Sequence, residues 1–392
     1  MPASIHHGLR SPEDLSAFGR IVGWAFGFPE KEASEWLEHS GTDNLRLYSS
    51  DGAVRGGLLT IPMGQYFGGK AVPMVGIAGV AAAPEARGKG LALELMHATV
   101  RELHDKGVAL STLYPATLTL YRKAGYALAG SLFDVRMPAA RIGISEPNGD
   151  VRPAHDSDVA EMQALYARVA RTRDGYLARG PYIWQRVQAP RSTSAQPFVV
   201  ERDGKLEGYV YLSQKRKAPG ENFDLALADV TASSAWAAKK VLAFLYGHRS
   251  VVDHVSWRGS SADPLLLAIP ERVYEVRLRE HWMTRICHVQ GALEARGYPA
   301  GLTASLELDV HDPHISENSG RIVLTVENGR GHVSRGGSGK LRLSVESLAA
   351  LYTGFQSPEA LARSGSLTAD DASVALARAL LSGPPPEMPD FF

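Results

Sequence analysis

The sequence has one cysteine, no long apolar run and no cationic leader. A single cysteine, Cys287, excludes an intramolecular disulfide and suits a small buried apolar residue better than a nucleophile. No apolar run approaches the roughly 18 residues of a membrane helix. The first residues, Met1 to His7, lack the charged and apolar segments of a signal peptide. We therefore expect a cytoplasmic protein with no membrane partner.

The sequence also lacks an excess of charge of either sign. Lys+Arg and Asp+Glu each number 42, so the formal net charge is zero. A nucleic-acid-binding protein is normally basic, so no nucleic-acid partner is expected. The 392 residues exceed the roughly 250–300 that one hydrophobic core supports, and two or three domains are expected.

One order of elements occurs twice along the chain. Ser11 begins a helical pattern that Pro29 ends, a second short helix covers Glu30–His39, and Asp51-Gly52 joins two strands. A helical pattern opens again after Val151, and Asp203-Gly204 joins a second pair of strands. The offset is roughly 140–150 residues, which indicates an internal repeat. The turn formers of Gly143–Gly149 mark the boundary between the repeats.

The last hundred or so residues follow a different plan. Apolar residues alternate around Leu308 and Leu324, Asn328-Gly329 predicts a hairpin, and two helices follow. This pattern predicts a small α+β domain that begins around Val289 to Gly297. The fold class is therefore mixed α/β, with predicted domains at 1–145, 146–288 and 289–392.

A glycine-rich turn between a strand and a helix marks a candidate anion site. The strand ends near Ala83, and a helical pattern begins at Leu91. The first amides of a helix lack internal partners, and the helix dipole places partial positive charge there. Gly88 and Gly90 allow close backbone approach, and Arg87 and Lys89 add formal charge. This turn predicts a pyrophosphate site.

Two other phosphate-binding loops do not fit the sequence. A dinucleotide-binding fingerprint needs a third glycine, which this turn lacks. A Walker loop at Gly339-Lys340 would need Gly at 334 and Ser or Thr at 341, where Ser334 and Leu341 stand. In the second repeat no glycine occurs between Gly220 and Gly247, so a phosphate loop is not expected there.

The strand, the turn Arg87-Gly-Lys-Gly-Leu-Ala92 and the later Leu120-Tyr-Arg-Lys-Ala-Gly-Tyr126 together resemble the GNAT acetyltransferase superfamily. The resemblance implies that acetyl-CoA is the co-substrate. It implies that the backbone of Val80 and Ala82 binds the pantetheine arm. It also implies that the pyrophosphate is held by Arg87, Gly88, Lys89, Gly90, Leu91 and Ala92. Tyr121 would lie beside the cofactor sulfur.

The segment Phe67–Val80 and the overall plan resemble the Eis family more narrowly. That resemblance implies an active GNAT domain, a degenerate second GNAT domain and a domain similar to sterol carrier proteins. It implies that the carboxylate of the terminal Phe392 enters the N-terminal active site. Acetylation of aminoglycosides and a homohexamer are also implied by the family.

The proposed chemistry assigns two catalytic groups. An unperturbed tyrosine has a pKa of about 10, so Tyr121 would be protonated and could donate to the leaving thiolate. The carboxylate of Phe392 would be ionised and could take the amine proton. A backbone N–H near Val80 would stabilise the oxyanion.

The acceptor site is predicted from aromatic and acidic residues of the first two helices. Trp24, Phe26 and Trp36 stand where the resemblance places the acceptor wall, and aromatic faces suit cations. Acidic residues could attract polyamines, although a solvated helix face explains them too; they are Glu30, Glu32, Glu35, Glu38 and Asp43. His311 and His314 are too few ligands for a metal site, and no metal is predicted.

Two other classes of function stay open on the sequence. One is a lipid-binding or structural protein in which the GNAT sites are vestigial. The other is a transferase that uses a different acyl donor or an aminoacyl-tRNA, against which the neutral charge argues. Aminoglycosides, protein lysines, arylalkylamines and polyamines all remain possible acceptors.

Overall fold

The computed structural model describes residues 5–145, 150–190, 194–218 and 220–392. The chain forms two compact units. The first unit is Met1–Gly130, His281–Pro386 and Phe392, and the second unit is Ser131–Glu280 and Glu387–Phe391. Part of the predicted boundary Gly143–Gly149, residues 146–149, lies outside the described residues. Residues 1–4 of the N-terminal segment Met1 to His7 also lie outside the described residues.

The N-terminal part of the chain follows the predicted order of a helix pair, antiparallel strands, a helix and a further strand. Its elements are β1 (Ile5–His7), α1 (Pro12–Phe26), α2 (Glu30–His39), β2 (Leu45–Ser50), β3 (Ala53–Phe67), β4 (Lys70–Ala82), α3 (Leu91–Asp105), β5 (Leu110–Leu113), α4 (Leu118–Lys123) and β6 (Ala127–Pro138).

Local sequence explains where these elements begin and turn. The Ser11 hydroxyl accepts a hydrogen bond from the Asp14 amide at the start of α1, as its residue type predicted. Asp51 and Gly52 both have positive φ, the requirement of a tight hairpin between β2 and β3. The sheet runs β1-β2-β3-β4-β5, with antiparallel pairs except the parallel β4–β5.

The middle of the chain repeats this order, as the sequence predicted. Its elements are β7 (Asp150–Pro153), α5 (Val159–Ala170), β8 (Leu177–Ala178), α6 (Pro181–Gln188), β9 (Gln196–Arg202), β10 (Lys205–Lys215), β11 (Phe223–Ala232), α7 (Ala235–Tyr246), β12 (Val252–Gly259) and β13 (Glu275–Ile286). In the second unit the strands run β6-β12-β11-β10-β9-β7, and β11–β12 is again the parallel pair.

The C-terminal part is an α+β domain, as predicted. Its elements are α8 (Val289–Ala295), β14 (Ala304–His311), β15 (Gly320–Glu327), β16 (Arg330–Arg335), β17 (Leu341–Ser344), α9 (Val345–Tyr352), α10 (Pro358–Arg363), β18 (Leu367–Thr368) and α11 (Asp371–Leu381). The sheet order is β16-β15-β14-β17-β18, and Asn328-Gly329 forms the predicted hairpin turn. Among the described residues, no helix is both long and apolar enough to cross a membrane.

Each unit has its own apolar core. In the first unit β4 and α3 contribute Ile77, Leu95 and Val100, all buried. Cys287 lies in the same core and is fully buried, which matches its predicted role as a small apolar residue. In the second unit the core is centred on β12 and α7, with Val241, Leu242 and Val255 fully buried.

Candidate active site

Strands β4 and β5 separate to form a wedge in the first unit. Their parallel pairing covers Met74↔Leu110, Val75↔Ser111 and Gly76↔Thr112. Beyond Gly76, β4 continues from Ile77 to Ala82 along β3 only, within the described residues. One edge of this part of β4 is therefore left without a strand partner, and its N–H and C=O groups can bind an extended ligand.

A β-bulge lies in the unpaired part of β4. Leu59 pairs with Ala78 and Gly57 with Ala81, so Gly79 and Val80 both stand opposite one residue of β3. Gly79 has φ +61°, and a Cβ there would lie 2.8 Å from the Trp36 ring. Only glycine meets both conditions. Trp36 of α2 thus packs on β4 at the bulge, where the extra residue changes the direction of the Val80 backbone groups.

The glycine-rich turn follows β4 in the predicted arrangement. A short 3-10 turn, Pro84–Ala86, precedes it, and α3 begins directly after Gly90. Gly88 and Gly90 have φ +75° and +84°, and no atom lies within 4 Å of a Cβ built on either. Glycine is therefore required by backbone conformation, while the space above the turn stays open. Arg87 and Lys89 are exposed there, and Glu85 pairs with Arg55 instead.

The first turn of α3 supplies the rest of this site. Leu91 is buried and anchors the helix start, while Ala92 is half-buried. The carbonyl of Gly90 accepts hydrogen bonds from the amides of Leu93 and Glu94. The amides before them precede the regular helical ladder, which leaves a natural binding place for a pyrophosphate. The residues present therefore fit the phosphate end of a coenzyme A thioester.

Tyr121 lies on α4 and is almost completely buried. Its side chain is 5% exposed and belongs to the apolar cluster of Ile77 and Leu95, against which Val80 also packs. Its ring meets Tyr126 edge-to-face, with centroids 6.1 Å apart. Burial raises the pKa of Tyr121 to about 12. The hydroxyl is therefore protonated throughout the neutral range.

The C-terminal residue Phe392 belongs to the first unit and lies at the start of the wedge. Its side chain is 6% exposed. A Cβ on Gly76 would lie 2.6 Å from Cε2 of the Phe392 ring, so the ring lies directly on β4 where its pairing with β5 ends. The ring also meets Tyr114 edge-to-face at 5.9 Å between centroids.

The three aromatic residues predicted for the acceptor wall differ in their surroundings. Trp36 is half-buried on Gly79. Trp24 is 72% exposed and Phe26 is 44% exposed, with Phe26 stacked on Phe28 at 6.2 Å. Trp36 thus packs on β4, whereas Trp24 and Phe26 lie on the surface of α1.

His311 and His314, which are too few ligands for a metal site, differ in their surroundings. The His314 ring lies 4.3 Å from that of His97 on α3, between ring centroids. His311 is exposed. Among the described residues, no group of three or more His, Cys, Asp or Glu side chains is arranged to hold a metal ion.

The second repeat has a different connection at the place of the glycine-rich turn. Only Ser233 and Ser234 separate β11 from α7. The Ser234 hydroxyl caps α7 by accepting from the Ala237 amide, and it donates to the Glu207 carboxylate at 2.5 Å. This helix start is thus capped within the chain and has an acidic neighbour, and neither feature suits a pyrophosphate.

Some site residues were missed by the sequence analysis. Gly76 and Gly79 leave room for the rings of Phe392 and Trp36, and Tyr114 packs on Phe392. Glycines inside a strand indicate a bulge or a close approach, so Gly76 and Gly79 carried a usable signal. Tyr114 carried none, because its role depends on where the C-terminus lies.

Similarity to known proteins decides the family. A GCN5-related N-acetyltransferase from Anabaena variabilis has a solved structure that matches with a TM-score of 0.94 and 35% identity, covering 100% of both chains. The chain belongs to the GCN5-related N-acetyltransferases. A family member from Kribbella flavida matches at TM-score 0.87 and 26% identity, covering 100% of this chain and 98% of the other.

The family models follow the repeat. Acetyltransferase (GNAT) domains match residues 9–129 and 175–286, and a sterol carrier protein domain matches 289–389. The N-acetyltransferase Eis of Mycobacterium tuberculosis is 27% identical over 339 residues, which is 81% of this chain and 78% of that protein. The expected tandem GNAT domains with a C-terminal sterol-carrier-like domain are confirmed. The predicted resemblance to Eis is confirmed as well, and the chain is an acyltransferase of the N-acetyltransferase type.

Proposed function

We propose that this GCN5-related N-acetyltransferase transfers the acetyl group of acetyl-CoA to a basic amine in the wedge of the first unit. The observation that carries the proposal is the arrangement around β4. The strand leaves β5 after Gly76, bulges at Gly79 and Val80, and leads to the Arg87–Ala92 turn. Phe392 and Trp36 pack on the same strand.

The donor would bind along β4. Backbone groups of Val80 and Ala82 would pair with the pantetheine amides, as an added strand pairs with an open edge. The pyrophosphate would take the amides at the start of α3, with Arg87 and Lys89 beside it. Acetyltransferases of this fold use acetyl-CoA, and the open space above Gly88 and Gly90 suits its phosphates.

The transfer would need three actions from the chain. The Phe392 carboxylate would take a proton from the ammonium form of the acceptor, directly or through water, which frees the nitrogen lone pair. The C–N bond then forms as the C–S bond breaks, and the Val80 amide would donate to the carbonyl oxygen that carries the developing charge. The Tyr121 hydroxyl would give its proton to the departing thiolate, and the second proton lost by the acylated nitrogen would pass through water to restore the Tyr121 hydroxyl.

A cationic acceptor is favoured by the charges of α2. Glu30 and Glu35 already pair with Arg20 and Lys31. Glu32 and Glu38 are exposed and have no ion pair among the described residues. They lie on the helix that carries Trp36, whose ring suits a cation. Aminoglycosides and lysine side chains are the proposed acceptor classes, with the aminoglycoside class supported by the resemblance to Eis.

Thiol release from acetyl-CoA tests the proposal. The full chain is assayed with an aminoglycoside, a lysine peptide, an arylalkylamine and a polyamine, each against a quaternary ammonium analogue that cannot accept an acetyl group. Turnover is expected with at least one primary amine and with none of the analogues. Tight acetyl-CoA binding without turnover on any amine would contradict the acceptor class.

We also propose, from the family resemblance, a cytoplasmic homohexamer. Sedimentation velocity is expected to give a species of six copies of the 42.2 kDa chain. A monomer at micromolar concentration would contradict the assembly while leaving the site of the first unit untouched.

A further inference from the structure

We propose that the second unit carries a binding cavity for a small carboxylate that has an apolar tail. The cavity lies in the wedge of the second repeat, at the position that the acetyl-CoA wedge has in the first repeat. No part of this inference depends on the transferase chemistry proposed for the first unit.

The second repeat has retained its wedge. The parallel pairing of β11 with β12 ends at Leu227↔Trp257, while β11 continues to Ala232 along β10. A cavity of about 400 Å³ opens there. Its walls are the free part of β11, the first turn of α7 and a 3-10 turn at Pro264–Ala268.

Coenzyme A does not suit this cavity. The connection from β11 to α7 has two residues, Ser233 and Ser234, against the eight of residues 83–90 in the first repeat. Ser234 caps the helix and bonds Glu207, so a carboxylate already lies where a pyrophosphate would bind. A ligand of this cavity must therefore bind without a phosphate at the helix start.

The deepest cation of the cavity is already used by the fold. The Arg179 side chain is 1% exposed and bonds Asp229 at 2.5 and 2.9 Å. It also bonds Asp390 at 2.9 and 3.0 Å. Its guanidinium lies 3.7 Å from the centroid of the Tyr166 ring. Because two carboxylates already bind Arg179, its positive charge is not available to a ligand.

Two other cations of the cavity wall are available. Neither Arg173 nor Lys239 forms an ion pair with any residue that the structure describes, and both line the cavity. Asp263 also lines the cavity and accepts from the Trp257 indole at 2.9 Å and from the Leu265 amide at 3.0 Å. Burial raises the pKa of Asp263, and the charge of Arg173 opposes that rise from beyond ion-pair distance. Two cations that form no ion pair among the described residues, beside one cavity, favour an anion there.

The remaining wall is apolar. Leu265 and Trp257 are buried against the cavity, and Leu267 lines it while 88% exposed. A ligand tail that packs on this apolar wall would also contact Leu267. Cationic side chains and an apolar wall together fit a medium-chain carboxylate better than an inorganic anion or a neutral lipid.

Calorimetric titration of the full chain with decanoate tests the inference, in parallel with decan-1-ol and butyrate. We expect saturable binding of one decanoate that R173Q/K239Q weakens at least tenfold and L267S weakens several-fold. The matched control is Arg171→Gln, an exposed arginine two residues from Arg173 that does not line the cavity. This control is expected to change the affinity less than twofold.

Other outcomes overturn the inference. They are no saturable decanoate binding, equal weakening by the Arg171 control, and unchanged binding in R173Q/K239Q. If decan-1-ol bound as tightly as decanoate, the ligand would not need a carboxylate. If butyrate bound as tightly as decanoate, the ligand would not need an apolar tail. Hydrogen exchange of β11 amides, measured on the same proteins, is expected to match that of the wild type and shows that the second unit is folded. Acetyl-CoA affinity is expected to stay within twofold in every variant. That readout also separates this cavity from the donor site of the first unit.

Discussion

At the residue scale, burial decides what the Tyr121 hydroxyl can do. Its pKa is raised to about 12, so the phenol keeps its proton at every pH below roughly 11. A protonated group of high pKa suits donation to a basic thiolate and does not suit proton abstraction at neutral pH.

Replacement of Tyr121 by phenylalanine removes this donor and keeps the ring. We expect kcat to fall about 10²-fold or more, the usual contribution of a general acid, while KM for acetyl-CoA stays within twofold. Steady-state kinetics from pH 6 to 10 measure both. Because the pKa lies above this range, the wild-type kcat should show no loss from Tyr121 ionisation at the alkaline end. An unchanged kcat in Tyr121→Phe would remove Tyr121 from the chemistry.

The role of Phe392 can be divided between its ring and its carboxylate. The ring packs on Gly76 and Tyr114. A semisynthetic chain with a C-terminal amide keeps this packing and loses the charge, whereas Phe392→Leu keeps the charge and trims the ring. We expect the amide to lower kcat about 10²-fold, since a general base is lost, and Phe392→Leu to lower it less. Equal activity of the amide and the wild type would exclude the carboxylate as base.

At the scale of elements, the turn between β4 and α3 depends on backbone conformation. Gly90 has φ +84° with open space around it, and a side chain there is strained by about 1–2 kcal/mol. Gly107 offers a matched control, since it follows α3 with φ +70° and is equally uncrowded. Gly90→Ala is expected to weaken acetyl-CoA binding about tenfold, and Gly107→Ala to leave it unchanged. Similar losses of affinity in both would show that strain, not the site, is the cause.

The elements themselves were largely predictable. Ser11 and the Asp-Gly turns predicted a helix start and two hairpins correctly, because these signals act over a few residues. The bulge at Gly79 was not predicted, since it depends on pairing with β3 and on space for Trp36.

The candidate site was predictable where it is local. The Arg87–Ala92 turn carries its own signal in Gly88 and Gly90. The exposure of Trp24 and Phe26 could not be predicted, because helical periodicity alone does not show whether an aromatic side chain on the helix is buried in the core or exposed. The assigned roles of Tyr121, Phe392 and the substrate wall stay predictions, as do the domain limits 1–145, 146–288 and 289–392.

At the scale of the whole molecule, the second unit contains a buried ion cluster. Arg179 lies between Asp229 and Asp390, and the Tyr209 hydroxyl donates to Asp229 at 2.7 Å. Burial raises the pKa of Asp390, and the nearby Asp229 carboxylate raises it further, whereas the shared cation Arg179 lowers it. The sequence analysis gave no signal for this cluster, whose two aspartates lie 50 and 211 residues along the chain from Arg179.

Loss of the shared cation should destabilise the second unit strongly. Arg179→Met leaves two buried carboxylates without their shared cation, which typically costs about 3–5 kcal/mol. The exposed Arg171→Met is the control and should have little effect. Hydrogen exchange of β11 amides measures the change without assuming that the whole chain unfolds in one step. Equal protection in both variants would show that the cluster contributes little.

The two repeats differ in the connection between the central strand and the helix that follows it. The first repeat has the glycine-rich turn, and the second has Ser234 and Glu207 in its place. Calorimetric titration of the full chain with acetyl-CoA tests this account most directly. We predict one site per chain, with its affinity reduced about tenfold by Gly90→Ala. Two equivalent sites per chain, no binding, or affinity unchanged by Gly90→Ala would contradict it.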